Sequence, residues 1–145
     1  MLDLIIKNGQ CYIDGGLKDV DVSIKDGKIH AIGKIFEKTK ETIDAQGLIV
    51  LPGCIDTQTH FREPGSTDTE DLNSGSRAAI VGGITAVFEM PNTNPPTSSK
   101  KEFQRKLDLA KNRMYCNYAF YFGATADNSN ELADLKNLNG CCGIK

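Results

Sequence analysis

The chain has 145 residues, of which 39% are hydrophobic and 25% charged, and its 17 basic and 19 acidic side chains give a net charge of −2. Such a composition is typical of an ordinary globular protein with one modest core. The mixed charges exclude a basic surface for nucleic acid, and the lack of any long apolar run excludes a membrane-spanning segment. Five cysteines without a CxxC pair, and no signal peptide, predict reduced thiols and a cytoplasmic protein.

Residues 1–50 predict a small β-sheet domain, a portion of a β-sandwich. Short apolar segments such as LDLIIK and QCYI alternate with Gly-rich turns, as strands of a sheet do. The pair Asp26-Gly27 lies between VSIK and KIHAI and predicts a β-hairpin, because a two-residue type I′ turn requires positive φ at both positions.

After residue 50 the pattern changes to strands that alternate with helices. The segment GLIVLPGCIDTQTHF predicts one strand that is apolar at its start and polar at its end. TDTEDLNSGSRAAIVGG predicts a helix, with Thr67 and Glu70 as a capping box and Gly82-Gly83 as the stop. ITAVFEMPN then predicts a second buried strand.

The rest of the chain repeats this alternation. Ser99, with Glu102 three residues later, predicts the start of a helix whose apolar stripe is formed by Phe103, Leu107 and Ala110. CNYAFYFGAT predicts a third strand, NELADLKNLNG a short helix and GCCGIK a fourth strand.

Strands alternating with helices predict an α/β domain with parallel strands in residues 51–145. No phosphate-binding glycine motif occurs, which disfavours nucleotide-binding folds. A (β/α)₈ TIM barrel fits the alternation but needs about 250 residues. We therefore expect residues 51–145 to form the N-terminal part of such a barrel, about half of it, within a longer protein.

Polar side chains gather in the segment DTQTHFREPG, at the end of the first predicted barrel strand. Along a continuous strand, Asp56, Gln58, His60 and Arg62 would point to one face. Two histidines at HxH spacing would be a metal site, but here the pattern is QxH. The residues alone leave a metal site and a hydrogen-bonded polar strand both open, and they favour the second.

Three segments together resemble the dihydroorotase branch of the cyclic amidohydrolases: LPGCIDTQTHFREPG, EDLNSGSRAAIVGGITAVFEMPNTNPPT and GCCGIK. Dihydroorotases, hydantoinases and allantoinases share the pattern DxHxHxRxPG, then a helix with GSxAAxxGGxT, then a strand that ends in MPNT. The resemblance covers nearly the whole chain. Because FREPG occurs together with MPNTNP, the chain looks most like a dihydroorotase.

The resemblance implies a β-sandwich joined to a (β/α)₈ barrel, one or two zinc ions, and reversible hydrolysis of dihydroorotate to N-carbamoyl-aspartate in pyrimidine biosynthesis. It implies this small molecule as the substrate, and further copies of the chain or aspartate transcarbamoylase as protein partners. The general base of the family is an aspartate late in the barrel. It is expected beyond Lys145, so the 145-residue chain alone is predicted to be inactive.

Four residues match the site of the family by position. His60 matches the second histidine of the HxH metal pair, and Lys145 matches a lysine that in many relatives is carboxylated and bridges two metals. Arg62 matches the arginine that holds the substrate carboxylate, a task that suits a planar guanidinium. Asn92 matches the asparagine that helps to bind the same carboxylate.

Each assignment has a plainer alternative in the residues themselves. Arg62 could form an ion pair with Glu63 or Asp56 on the surface. Asn92 could be a turn former, and Lys145 an ordinary lysine.

The chain departs from the family at Gln58, which stands in the place of the first histidine. An amide oxygen is a much poorer zinc ligand than an imidazole nitrogen, so the first metal is expected to be weakened or lost. Two hypotheses follow. The longer protein is either a hydrolase with an altered or single-metal site, or an inactive scaffold that assembles with aspartate transcarbamoylase.

Overall fold

A computed structural model describes residues 1–145 and divides them into two compact units, Met1–Pro52 and Gly53–Lys145. The strands of the first unit are β1 (Leu2–Lys7), β2 (Gln10–Ile13), β3 (Gly16–Asp19), β4 (Asp21–Lys25), β5 (Lys28–Gly33), β6 (Thr39–Asp44) and β7 (Ile49–Val50). They form two sheets, one with the strand order β5-β4-β1-β6 and one with the order β3-β2-β7.

The predicted hairpin is confirmed in the first unit. Strands β4 and β5 pair antiparallel, and the last pair before the turn joins Lys25 to Lys28. Asp26 has φ 51° and Gly27 φ 71°, as a type I′ turn requires. The local sequence therefore determined this turn.

The second unit is a parallel sheet with helices between its strands, which confirms the prediction of a mixed α/β fold. The elements in chain order are β8 (Cys54–Thr59), α1 (Leu72–Val81), β9 (Ile84–Glu89), α2 (Lys100–Ala110), β10 (Asn117–Phe122), a 3₁₀ helix (Ser129–Asn137) and β11 (Cys141–Ile144). The strand order in the sheet is β11-β10-β9-β8, and every neighbouring pair is parallel.

One predicted strand, GLIVLPGCIDTQTHF, is wrong as a single element. It forms two strands in different sheets, β7 and β8, and residues 51–53 between them are not in a strand. Pro52 has no N–H for a ladder, and Gly53 lies so close to Thr85 that a Cβ atom would be 2.2 Å from the Thr85 hydroxyl.

The predicted start of the first helix is also wrong. Thr67 and Glu70 do not form a capping box, because residues 66–70 form hydrogen-bonded turns, in which Thr69 N–H and Glu70 N–H both donate to the carbonyl of Ser66. The helix α1 begins later, where Asp71 accepts from the N–H of Ser74 and the Ser74 hydroxyl accepts from the N–H of Asp71.

The end of α1 and the start of α2 agree with the predictions. Gly82 caps α1, and the Ser99 hydroxyl accepts from the N–H of Glu102 at the start of α2. The apolar stripe of α2 packs onto the sheet with Phe103 fully buried. The buried core of the second unit consists of Phe61, Leu72, Val87, Phe103, Ala110, Cys116, Phe120, Phe122 and Leu135.

None of the helices is both long and apolar enough to cross a bilayer.

Candidate functional site

The candidate site lies at one edge of the parallel sheet of the second unit. Because all four strands run in the same direction, their carboxyl ends meet at this edge. Three of the matched residues follow these ends: His60 comes directly after β8, Asn92 three residues after β9, and Lys145 directly after β11. Parallel topology thus brings residues far apart in sequence to one edge.

His60 and Asn92 contact each other directly. The His60 Nδ1 atom lies 2.9 Å from Asn92 Oδ1. An amide oxygen can only accept, so Nδ1 is the donor in this contact, and in the neutral imidazole the lone pair is then on Nε2. Two backbone hydrogen bonds hold the same two segments together, from Met90 N–H to the Thr59 carbonyl at 3.0 Å and from Asn94 N–H to the Pro64 carbonyl at 2.9 Å.

Arg62 is exposed and has φ 62°, so it does not continue strand β8. The predicted common strand face for residues 56–62 is therefore wrong, because β8 ends at Thr59. The alternative that Arg62 pairs with Glu63 or Asp56 is also wrong. The Asp56 carboxylate accepts from the N–H of Gln58 at 2.9 Å, and the guanidinium of Arg62 makes no ion pair or hydrogen bond.

The carboxylate of Glu63 is buried and is held by Arg113 instead. Arg113 donates two parallel hydrogen bonds to it, at 2.8 and 3.0 Å, and the N–H of Leu72 donates a third at 2.9 Å. The hydrogen bond to Glu63 raises the pKa of Arg113 above its usual value. Glu63 thereby joins the loop after β8 to the start of α1 and to the segment after α2.

We expect Arg113→Met to lower the free energy of unfolding by about 1–3 kcal/mol, since it leaves the buried Glu63 carboxylate with one donor. Arg105→Met is the matched control. The Arg105 guanidinium is exposed and lies 3.4 Å from Glu102, so its loss should cost under about 1 kcal/mol. Urea denaturation of both variants measures the difference, and equal losses would contradict the role given to Glu63.

Another ion pair, Glu89 and Lys106, is fully buried and contacts the backbone near His60 and Asn92. Their charged groups form an ion pair, with side chains 1% and 0% exposed. Glu89 Oε1 accepts from the N–H of Phe61 at 3.2 Å, and Lys106 Nζ donates to the carbonyl of Met90 at 3.1 Å. The ammonium also lies 5.0 Å from the centre of the Phe120 ring.

Burial determines the protonation behaviour of this pair. It raises the pKa of Glu89 to about 7, although the positive charge of Lys106 acts in the opposite direction. Burial likewise lowers the pKa of Lys106. Sequence reasoning missed Lys106, and the available signal was its place on the apolar stripe of α2, three residues after Phe103 and four before Ala110.

Residues 60–63 alternate between solvent and core. Phe61 is 6% exposed, and its ring packs so tightly on α1 that a Cβ atom at Gly75 would lie 2.5 Å from it. Phe61 and Glu63 therefore anchor the segment, while Arg62 points to solvent and His60 is only half-buried. The two residues expected to bind ligands are each flanked by a buried neighbour.

Gln58 and Lys145 are less well placed. The Gln58 side chain is exposed and makes no hydrogen bond. The backbone of Lys145 is fixed, because its N–H donates to the Phe122 carbonyl at 2.9 Å and its own carbonyl accepts from Ala124 N–H at 2.7 Å. Its side chain is exposed and makes no hydrogen bond with His60 or Gln58.

One donor in this set suits zinc as it stands. His60 has a free Nε2, and the hydrogen bond at its Nδ1 is the kind of contact that orients a metal-ligating imidazole. No group of three or more His, Cys, Asp or Glu side chains lies together, so the chain offers one ordinary zinc ligand rather than a complete site.

Comparison with known proteins gives three consistent findings. The model of the Amidohydrolase family matches residues 49–139. The allantoinases of Salmonella choleraesuis (strain SC-B67) and Escherichia coli (strain SMS-3-5) are 40% and 41% identical over 144 residues, 99% of this chain. The structure of the L-hydantoinase (dihydropyrimidinase) from Arthrobacter aurescens superposes on 99% of the chain with a TM-score of 0.88 and 32% identity. The chain spans 32% of the length of each of these three proteins.

Proposed function

The chain belongs to the amidohydrolase family, and we propose that the whole protein is a cytoplasmic, zinc-dependent hydrolase of a cyclic amide. The relatives named above, allantoinases and a hydantoinase, support hydrolysis of a ring amide or ureide. Because the chain spans only 32% of their length, the activity is proposed for the longer protein and not for residues 1–145 alone.

The residues of this chain bind and orient in the proposed reaction. His60 would ligate zinc through Nε2, with Gln58 and a carboxylated Lys145 as further ligands. When bound, the metal would supply a Lewis acid that polarises the ring carbonyl and acidifies water. Asn92 uses Oδ1 to orient His60, which leaves its Nδ2 group to donate to substrate.

One observation supports a substrate that carries a ring carboxylate. Arg62, two residues after His60, presents an exposed guanidinium without a partner, and a guanidinium can donate two hydrogen bonds to a carboxylate. Dihydroorotate has such a carboxylate and is the first candidate. Allantoin is the second candidate. It lacks a carboxylate for Arg62 to bind, but the relatives at 40% and 41% identity are named allantoinases.

The test is the turnover of dihydroorotate, allantoin and hydantoin by the whole protein, before and after Arg62→Ala. If dihydroorotate is the substrate, we expect kcat/KM to fall about 100-fold or more, since hydrogen bonds to charged groups contribute about 1.5–3 kcal/mol each. Arg77→Ala is the matched control. Arg77 is exposed like Arg62, but its guanidinium lies over the ring of Tyr115 and it is not one of the residues matched to the site. Turnover of allantoin that survives Arg62→Ala would support the second candidate.

The scaffold hypothesis makes the opposite prediction for the same protein. It expects no turnover of any of the three substrates at any zinc concentration, and no recovery in Gln58→His. In that case assembly with aspartate transcarbamoylase would be the function to test.

A further inference from the structure

The buried pair Glu89–Lys106 touches both chain segments that carry the candidate site. It lies at the end of β9 and on the inner face of α2, away from solvent, so neither group can meet a substrate. Its hydrogen bonds, however, go to backbone groups beside His60 and Asn92.

The first contact acts on the segment after β8. Glu89 Oε1 accepts from the N–H of Phe61, the residue that follows His60. A backbone N–H held at 3.2 Å restricts rotation of the peptide between His60 and Phe61. Because the ring of Phe61 is also buried, this end of the segment has little freedom to move.

The second contact acts on the segment after β9. Lys106 Nζ donates to the carbonyl of Met90, two residues before Asn92. Met90 N–H is itself bound to the Thr59 carbonyl, directly before His60. The ion pair therefore connects the two backbone segments in the core, while the His60–Asn92 hydrogen bond connects them on the exposed side.

We propose that Glu89 and Lys106 are positioning residues that hold the imidazole of His60 and the amide of Asn92 in their mutual hydrogen bond. For metal binding the inference rests on the proposed function, whereas the orientation of His60 can be measured without it. A pair that contributed only to stability would not affect the orientation of His60. Replacing both members of a buried ion pair by apolar groups often leaves the stability of the fold unchanged or higher. Stability and positioning can thus be separated.

Two double variants separate the contacts. Glu89→Leu with Lys106→Met removes both charges and both backbone contacts without leaving an unpaired buried charge. Glu89→Gln with Lys106→Met also removes the ion pair but keeps an amide oxygen for the N–H of Phe61, so of the two backbone contacts it removes only the one with Met90. Thermal unfolding of the whole protein first establishes that each variant folds.

Imidazole nitrogen NMR then reports which nitrogen of His60 carries the proton. The chain has two histidines, and the exposed His30 in the first unit serves as an internal control. We expect His60 in the wild-type chain to be protonated at Nδ1, and a tautomer mixture in the Leu/Met variant, with His30 unchanged. The Gln/Met variant should lie between the two.

A folded Leu/Met variant with a wild-type tautomer at His60 would overturn the proposal. If that variant does not fold, the Gln/Met variant decides, because loss of the Met90 contact alone should shift the tautomer ratio. An unchanged ratio in it would be equally decisive against positioning.

Zinc affinity of the whole protein gives an independent readout. We expect the Leu/Met variant to bind zinc 10- to 100-fold more weakly, about the effect of removing groups that orient a ligand. A tautomer shift without zinc binding by the wild type would support the positioning pair and refute the proposed function. Zinc binding that both double variants retain in full would refute the positioning pair and leave the proposed function standing.

Discussion

Lys106→Met is expected to lower the free energy of unfolding by about 3–5 kcal/mol. The substitution removes the cation from a buried pair and leaves Glu89, 1% exposed, without compensation. It also removes the donor that lies 3.1 Å from the Met90 carbonyl. Urea denaturation followed by tyrosine fluorescence measures the loss.

Lys101→Met is the matched control for this effect. Lys101 lies on the same helix but is exposed and forms no ion pair, so its loss should change stability by less than about 0.5 kcal/mol. Similar losses in the two variants would show that the helix, and not the buried pair, is affected.

The loss in Lys106→Met should also depend on pH. Burial raises the pKa of Glu89 from its ordinary value of 4.5 to about 7, and without the cation the folded value would rise further. Such a carboxyl stabilises the fold below its unfolded pKa, and this contribution is lost as the pH rises through the folded pKa. We expect a smaller loss at about pH 5 than at about pH 8. Equal losses at both would contradict protonation of Glu89 in the variant.

Phe103→Ala is also expected to lower the free energy of unfolding strongly, by about 3–5 kcal/mol. Phe103 is fully buried on α2, and its ring centre lies 6.3 Å from that of Phe120 and 6.2 Å from that of Phe122. Truncation would leave a cavity between helix and sheet that the surrounding strands can close only in part. The measurement is again the urea midpoint and slope.

The same substitution at an exposed position provides the control. Phe36 is 91% exposed, so Phe36→Ala should change the free energy of unfolding by less than about 0.5 kcal/mol. A loss above about 2 kcal/mol in Phe36→Ala would mean that this ring is covered in solution.

Local features of this protein were predictable from the sequence. The Asp26-Gly27 turn, the Ser99 cap and the stop at Gly82 each depend on a few adjacent residues, and the structure confirms all three. The alternation of strands and helices likewise predicted the parallel sheet. His60 and Asn92 were selected by motif, and the structure brings these two into contact.

Other boundaries were decided by tertiary contacts. Asp71, and not Thr67, caps α1, and the distant Glu63 carboxylate accepts from the N–H of Leu72 at the start of this helix. The long apolar segment around Pro52 divides into two strands, because each half pairs with a different sheet.

Adjacent residues were enough to predict the Asp26-Gly27 turn, the Ser99 cap and the stop at Gly82, and the order of the elements was enough to predict the parallel α/β layout. Which charges are buried together, in contrast, depends on tertiary contacts. Arg113 binds Glu63, 50 residues away in the sequence, and Arg62 has no partner. Lys106 forms a buried ion pair with Glu89. Burial and ion pairing depend on how helices pack on the sheet, and residue spacing along the chain does not record that packing.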